Sequence, residues 1–246
     1  LLMRALYPAG SHAVEKREVR RASASVTLTR MGHPLFALFD LRLRVADLEL
    51  RLPDDHELAA LCRVARKGIH DPATMPFLVP WTDKPSPAFE REFAQYHWGA
   101  RAHWTPAKWT LELAVFVDGE PVGSQGICAE NFATLRQVIT GSWLGQKFQG
   151  RGLGKQMREA VLHLAFEGLG AEVAHSAFID GNVTSAAVSR AFGYEPNGRK
   201  RIAPRGEATW ENKLILTRER WAARPRAYHV EVEGLDTCRE LFGAAR

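Results

Sequence analysis

Phe148-Gln149-Gly150-Arg151-Gly152-Leu153-Gly154-Lys155 decides how the rest of this chain is read. Three glycines fall at alternate positions between a strand pattern and a helix pattern. Without side chains, their backbone can approach a ligand closely and turn its N–H groups inward. The helix that starts here adds the positive end of its dipole, and together these features make an anion site suited to phosphates. Two well-known phosphate motifs do not fit. A dinucleotide fingerprint starting at Gly150 needs glycine where Lys155 stands. A P-loop needs glycine in place of Gln149 and Ser or Thr in place of Gln156. The plain alternative is a glycine-rich helix start made only for tight packing.

Outward from this stretch the chain alternates strand and helix signals. The following helix places Met157, Val161, Leu164 and Ala165 on one face and ends at Gly168 and Gly170. A strand is expected over Glu172–Phe178, a turn at Asp180-Gly181-Asn182, a short helix over Thr184–Phe192, and strands over Tyr194–Ile202 and Thr209–Thr217. Upstream, Leu135–Leu144 reads as a strand. Trp109–Val117 and Pro121–Cys128 form a hairpin about Asp118-Gly119. Leu48–Leu52 alternates as a half-buried strand. Asp54 or Asp55 caps a helix closing at Gly68, and Ser86 caps a second helix through Phe89, Phe93 and Tyr96. The run His229–Val232 is strand-like. The order predicts a mixed α/β sheet in one domain.

The 246 residues carry 33 Lys and Arg against 28 Asp and Glu, a net charge of +5. The first thirty residues hold six basic and two acidic side chains, so +4 of the excess lies there. We expect residues 1–30 to be a disordered basic leader, with Met31 as a candidate natural start, and 31–246 to form the domain, with its core at 48–217. A nucleic-acid-binding arm is the alternative for the leader; the +1 left to the domain argues against a nucleic-acid partner. No apolar run reaches eighteen residues, so no membrane partner is expected. Cys62, Cys128 and Cys238 are odd in number and widely spaced, which predicts reduced thiols, a cytoplasmic setting and no metal site.

Three segments in order resemble the GNAT N-acetyltransferases. Gln149-Gly-Arg-Gly-Leu-Gly154 matches the Q/R-x-x-G-x-G/A signature of that family. Gly141-Ser-Trp-Leu144 resembles the G-Y-W-L that ends the fourth strand in the RimJ/RimL-type branch. Asn182-Val-Thr-Ser185 through Phe192-Gly-Tyr194 resembles that branch's N-x-x-S…G-F/Y segment. The resemblance spans roughly 48–217. It implies an α/β GNAT fold: a mixed, mostly antiparallel sheet flanked by helices, with the family's fourth and fifth strands splayed apart.

The resemblance further implies acetyl-CoA, or another acyl-CoA, as donor, with no metal. Backbone N–H groups from Gly150 through Arg151, Gly152, Leu153 and Gly154 to Lys155 would cradle its pyrophosphate. Gln149 would shape the turn, and Arg151 or Lys155 would add charge at the rim. The pantetheine would pair with the strand edge near Trp143, Leu144 and Gly145. Asn182 and Ser185 would flank it or simply start a helix. His70, Asp71 and Trp81 fall in the region that lines the family's acceptor side; that loop could equally be a proline-stiffened cover on the core.

The expected reaction is direct attack of an amine on the thioester, which needs positioning and a general base. Many relatives carry a Glu just before the G-Y-W-L segment; here that stretch is Arg136-Gln-Val-Ile-Thr140. Glu130, His175 and Glu112 are the substitutes. Ser189 stands where many relatives have a Tyr as thiolate partner. The favoured acceptor is a protein or peptide N-terminal α-amine, with small-molecule amines open and a homodimer possible. The alternative from another class is a non-catalytic acyl-CoA-binding or sensor module.

Overall fold

The computed structural model describes residues 32–244. The expected leader, 1–30, lies outside them. The elements run β1 (Arg42–Val45), β2 (Leu48–Arg51), α1 (Asp55–Arg66), α2 (Ala88–Ala102), β3 (Lys108–Val117), β4 (Glu120–Glu130), α3 (Phe132–Leu135), β5 (Gln137–Leu144), α4 (Leu153–His163), β6 (Val173–Ile179), α5 (Val183–Ala191), β7 (Glu195–Ile202), β8 (Thr209–Thr217), α6 (Arg218–Ala223), β9 (Val230–Glu233) and α7 (Leu235–Cys238). They form one nine-stranded sheet of order β7-β8-β6-β5-β4-β3-β2-β1-β9. Every pairing is antiparallel except β5 with β6. This is the mixed, mostly antiparallel α/β sheet expected from the sequence.

Strand alternation divides the core between the two faces. Leu111, Leu113 and Val115 of β3 pack with Met157, Val161 and Leu164, the apolar stripe read from the sequence. Ala114 and Phe116 point the other way, against Leu58, Leu61 and Ala65 of α1 and Phe89 and Phe93 of α2. The start of α1 follows its expected chemistry. The Asp54 side chain accepts from Glu57 N, and the Glu57 side chain accepts from Asp54 N, a reciprocal cap that satisfies two otherwise unpaired donors.

Three expectations need correction. Ser86 does not cap α2; its hydroxyl donates to Glu90 Oε1 at 2.6 Å, and Pro87 occupies the capping position without a side-chain bond. Leu135 ends a short helix instead of starting a strand, because Arg136 turns the chain through a left-handed conformation (φ 48°) before β5. The β1 strand, unpredicted, pairs with the tail: Val45 opposes Val230 and Arg42 opposes Glu233. The expected strand at His229–Val232 is therefore the outer strand β9.

Candidate active site

Strands β5 and β6 pair only at Gln137–Val173, Val138–Ala174 and Ile139–His175, and then part. From Thr140 to Leu144, β5 stays paired with β4 on one side and, among the described residues, has no strand on the other. An extended ligand can meet the free backbone groups of that edge as a strand would. Gly123 of β4 lets the end of β5 come this close. A Cβ there would lie 2.3 Å from the Trp143 carbonyl oxygen and 2.9 Å from Leu144 Cα.

Arg158 of α4 ties the two strands at the point where they separate. Its buried Nη1 donates to Thr140 Oγ1 on β5 (3.0 Å) and to Ser176 Oγ on β6 (3.1 Å). Thr140 Oγ1 also lies 3.4 Å from the hydroxyl of Tyr194, a buried residue after α5. No local pattern announces this cluster, since a buried Arg on a helix reads as a solvated one until the fold is known.

The glycine segment sits at the wide end of the splay. Gln149 Nε2 donates to Leu144 O and to Ile69 O, both at 2.8 Å, so one side chain fastens the loop to the end of β5 and to the chain after α1. Gly150 (φ 73°) and Gly152 (φ 84°) adopt left-handed conformations, and a Cβ on either would meet nothing within 4 Å. Backbone conformation, not crowding, demands glycine there. Gly154 differs: its Cβ would make ordinary contacts with Val188 and Leu144, so its role is packing of α4 near α5 and β5. The Lys155 N–H already donates to Gly152 O at 2.9 Å, which shortens the expected cradle to Gly150–Gly154. Arg151 and Lys155 are exposed at its rim. Left-handed glycines, a helix start and two rim cations fit a pyrophosphate.

On the far side of the splay, Asn182 accepts from Ser185 N at 3.1 Å and so caps α5. Ser189 is buried, and its Oγ has no hydrogen-bond partner among the described residues. A buried hydroxyl without a partner is unusual, and because this one is closed to solvent it does not lie on the open surface of the cleft.

The loop between α1 and α2 holds itself together. His70 Nε2 is 2.8 Å from Thr82 Oγ1 and its Nδ1 is 2.8 Å from Asp71 O, while Asp71 Oδ1 accepts from Ala73 N. Trp81 packs on Phe89, Phe93 and Trp143, with ring centroids 5.9 to 6.0 Å apart. The loop thus reaches the β5 edge through Trp143, while His70 and Asp71 are engaged within the loop itself.

The three candidate bases are placed very differently. Glu130 is exposed at the end of β4, ion-paired to Lys108 at 3.6 Å. It lies four residues from Gly126, the partner of Gly141, or roughly 13 Å along the strand. His175 stands at the last β5–β6 pair, but its Nε2 lies 3.3 Å from Gln137 Oε1, on the side away from the opening. Burial lowers the pKa of its ring, so it is neutral near pH 7. Glu112 of β3 is half-buried and level with the splay, because Glu112 pairs with Gly126 and Gly126 with Gly141. Its carboxylate accepts from the Tyr96 hydroxyl at 2.6 Å and lies 3.3 Å from Ser124 Oγ. Burial raises its pKa against the lowering effect of those two bonds.

A splayed strand pair, a glycine cradle at its wide end and a helix start beneath it define an acyltransferase of the GNAT fold. The chain belongs to that family: residues 47–195 match the acetyltransferase (GNAT) domain. Solved structures with the same fold include RimJ from Mycobacterium smegmatis in complex with CoA-disulfide. That match has 19% identity, covers 82% of this chain and 94% of that one, and has a TM-score of 0.61. A ribosomal-protein-alanine acetyltransferase from Vibrio fischeri matches at 16% identity over 75% of this chain and 99% of that one, with a TM-score of 0.57. RimL, a ribosomal-protein α-N-acetyltransferase solved with coenzyme A, matches at 18% identity, 71% and 98% coverage, and a TM-score of 0.54. Among the described residues no helix is long and apolar enough to cross a membrane, and no group of three or more His, Cys, Asp or Glu could hold a metal ion.

Proposed function

We propose that this N-acetyltransferase takes acetyl-CoA as donor and a protein or peptide N-terminal α-amine as acceptor. The observation that carries the donor is the splay: a strand edge bare from Thr140 to Leu144 that leads to the left-handed glycines at 150 and 152. The acceptor is favoured by likeness to RimJ- and RimL-type structures, one of which is an α-N-protein acetyltransferase.

In this reading the Gly150–Gly154 amides and the exposed Arg151 and Lys155 hold the pyrophosphate. The backbone of Trp143 and Leu144 pairs with the pantetheine, while α5 closes the other side with Asn182, Ser185 and Ser189. A backbone N–H of β5 faces the thioester oxygen and stabilises charge that develops there. The leaving thiolate takes its proton from water, and Ser189, buried on α5, contributes to the packing of that helix. His70, Asp71 and Trp81 belong to the acceptor side.

Thiol release from acetyl-CoA, measured with a panel of N-terminal peptides and small amines, tests this reading. Turnover with peptides carrying a free α-amine, abolished by N-terminal blocking, is the expected result. Turnover only with small amines would replace the acceptor. Coenzyme A binding without turnover on any acceptor would mark a sensor module instead.

A further inference from the structure

Across the face of the sheet that carries α1 and α2, one row of residues runs Glu112–Gly126–Gly141. Its two inner positions have no side chains. The Glu112 carboxylate uses the first gap: a Cβ at Gly126 would lie 2.7 Å and 3.0 Å from its two oxygens. The second gap is open, because a Cβ at Gly141 would meet nothing within 4 Å, and Gly141 is exposed at the mouth of the splay. The carboxylate therefore lies over Gly126, one strand spacing (roughly 5 Å) from the bare edge of β5. That gap fits an amine or one water.

We propose that Glu112 is the general base and that Tyr96 is its positioning residue. The inference rests on the acetyltransferase reading above. An acceptor ammonium entering over Gly141 gives one proton to the Glu112 carboxylate, directly or through a water. The freed lone pair forms the C–N bond at the thioester carbon, and the C–S bond breaks. The second nitrogen proton is lost as the amide forms, the thiolate takes up a proton through water, and Glu112 returns its own to solvent. One proton is released per amide made. The Tyr96 hydroxyl, at 2.6 Å, holds the carboxylate in the trough.

The other titratable groups around Glu112 keep one protonation state from above the usual carboxylate range up to neutral pH. From α2 come Tyr96, whose phenol is pushed up by burial and by Glu112, the neutral His97 and Arg101. From β4 come Ser124 and Cys128, whose thiol is pushed up to about 11 by burial and by Glu112. The titratable group that α1 buries on this face is Cys62, which burial also raises. Because burial raises the Glu112 pKa, activity should climb with pH through a limb above the usual carboxylate range.

The test measures pH–rate profiles of kcat/KM with the best peptide acceptor, alongside the Kd for coenzyme A. Glu112→Gln should lower kcat by about 10²–10⁴-fold, remove the acidic limb and leave the coenzyme A Kd unchanged. Tyr96→Phe, which keeps the ring, should move that limb to higher pH, because the bond that lowers the Glu112 pKa is lost. Gly126→Ala should lower kcat more than it changes the KM for acetyl-CoA. An E112Q enzyme that keeps the limb and most of its kcat overturns the inference and points to His175 while the acetyltransferase reading stands. If the unaltered protein binds no coenzyme A, or binds it and turns over no acceptor, that reading fails and the inference falls with it. Should E112Q not fold, an unmoved limb in Y96F overturns the inference by itself.

Discussion

Arg205 and Asp83 lie 122 residues apart in sequence and meet in a two-pronged ion pair, with Nε 2.6 Å from Oδ2 and Nη2 2.5 Å from Oδ1. Nη1 of the same guanidinium reaches Pro72 O at 2.9 Å. Asp83 follows Trp81 in the loop between α1 and α2, and Arg205 lies in the turn between β7 and β8. In the sheet order, β7 and β8 stand on one side of the β5–β6 splay, and the strands covered by α1 and α2 stand on the other. The pair ties the loop between α1 and α2 across the line of the opening.

Both groups are solvent-exposed, so the tie should matter for binding more than for global stability. Asp83→Asn should raise the acceptor KM by roughly two- to five-fold. The coenzyme A Kd and the thermal midpoint should stay nearly unchanged. Arg205 holds the Asp83 carboxyl below its usual pKa, so the charge pair is complete at neutral pH and is lost only in acid, below the usual carboxylate range. Steady-state kinetics at two ionic strengths checks this: the difference between the variants should shrink as salt screens the pair.

The glycine cradle makes a graded prediction. Gly150→Ala and Gly152→Ala force a Cβ into left-handed conformations, at a cost of about 1–2 kcal/mol each, and should weaken coenzyme A binding by about tenfold. Gly154→Ala should cost less than either, because its Cβ makes only ordinary contacts. Calorimetric titration with coenzyme A ranks the three. Equal losses would show that crowding by the ligand, and not backbone conformation, sets the need for glycine.

Gln149 faces two carbonyl oxygens with its amide nitrogen. Gln149→Ala removes two hydrogen bonds worth about 0.5–1.5 kcal/mol each. Gln149→Glu should be worse, since it sets a carboxylate without a proton against two acceptors. The coenzyme A Kd, measured above the titration range of the new carboxylate, should rise in the order Gln, Ala, Glu.

Much of the fold was legible because periodicity and punctuation agreed locally. Asp54 or Asp55 marked the start of α1, Asp118-Gly119 marked a hairpin, and Gly141 to Tyr194 carried a linked set of family segments. What escaped depends on distant pairing. The four residues of β1 are too short to read as a strand until β9, nearly two hundred residues later, lies beside them. Among the base candidates, Glu112, Glu130 and His175 each carry a side chain able to take up a proton, and only strand register and their neighbours tell them apart. The glycine at 126 looks like an ordinary strand glycine until Glu112 is seen lying over it.

The buried pair of Glu159 and Arg224 offers a stability test away from the site. Arg224 Nη2 lies 2.6 and 2.7 Å from the two oxygens of Glu159, which is 1% exposed. Glu159→Ala leaves a largely buried guanidinium unpaired and should cost about 3–5 kcal/mol in denaturant unfolding. Replacing both residues with Met should recover most of the loss, because the desolvation cost disappears with the charges.

His97 gives the protein an acid-sensitive term. Burial lowers its pKa to about 4, against an ordinary value of 6.5. At neutral pH the ring is uncharged whether folded or unfolded. Between pH 6.5 and 4 the unfolded chain takes up a proton that the folded one refuses, so stability falls across that window. His97→Gln should flatten the slope there in pH-dependent denaturation and leave the steeper loss below it, where Glu49 and Glu57 protonate out of their arginine pairs.

The pairing of β1 with β9 constrains how the chain can be made. While the ribosome delivers the chain, the outer edge of β1 has no neighbour among the described strands until residues 230–233 emerge, nearly two hundred residues later. Trp104 and Trp109 wait 137 and 133 residues for theirs, since their indole N–H groups donate to Leu241 O and Phe242 O. The sheet therefore cannot be finished in the order in which it is translated. A chain halted after β8 would retain the whole glycine turn at 150–154 and display an unpaired edge strand, the kind of surface that recruits another copy of itself.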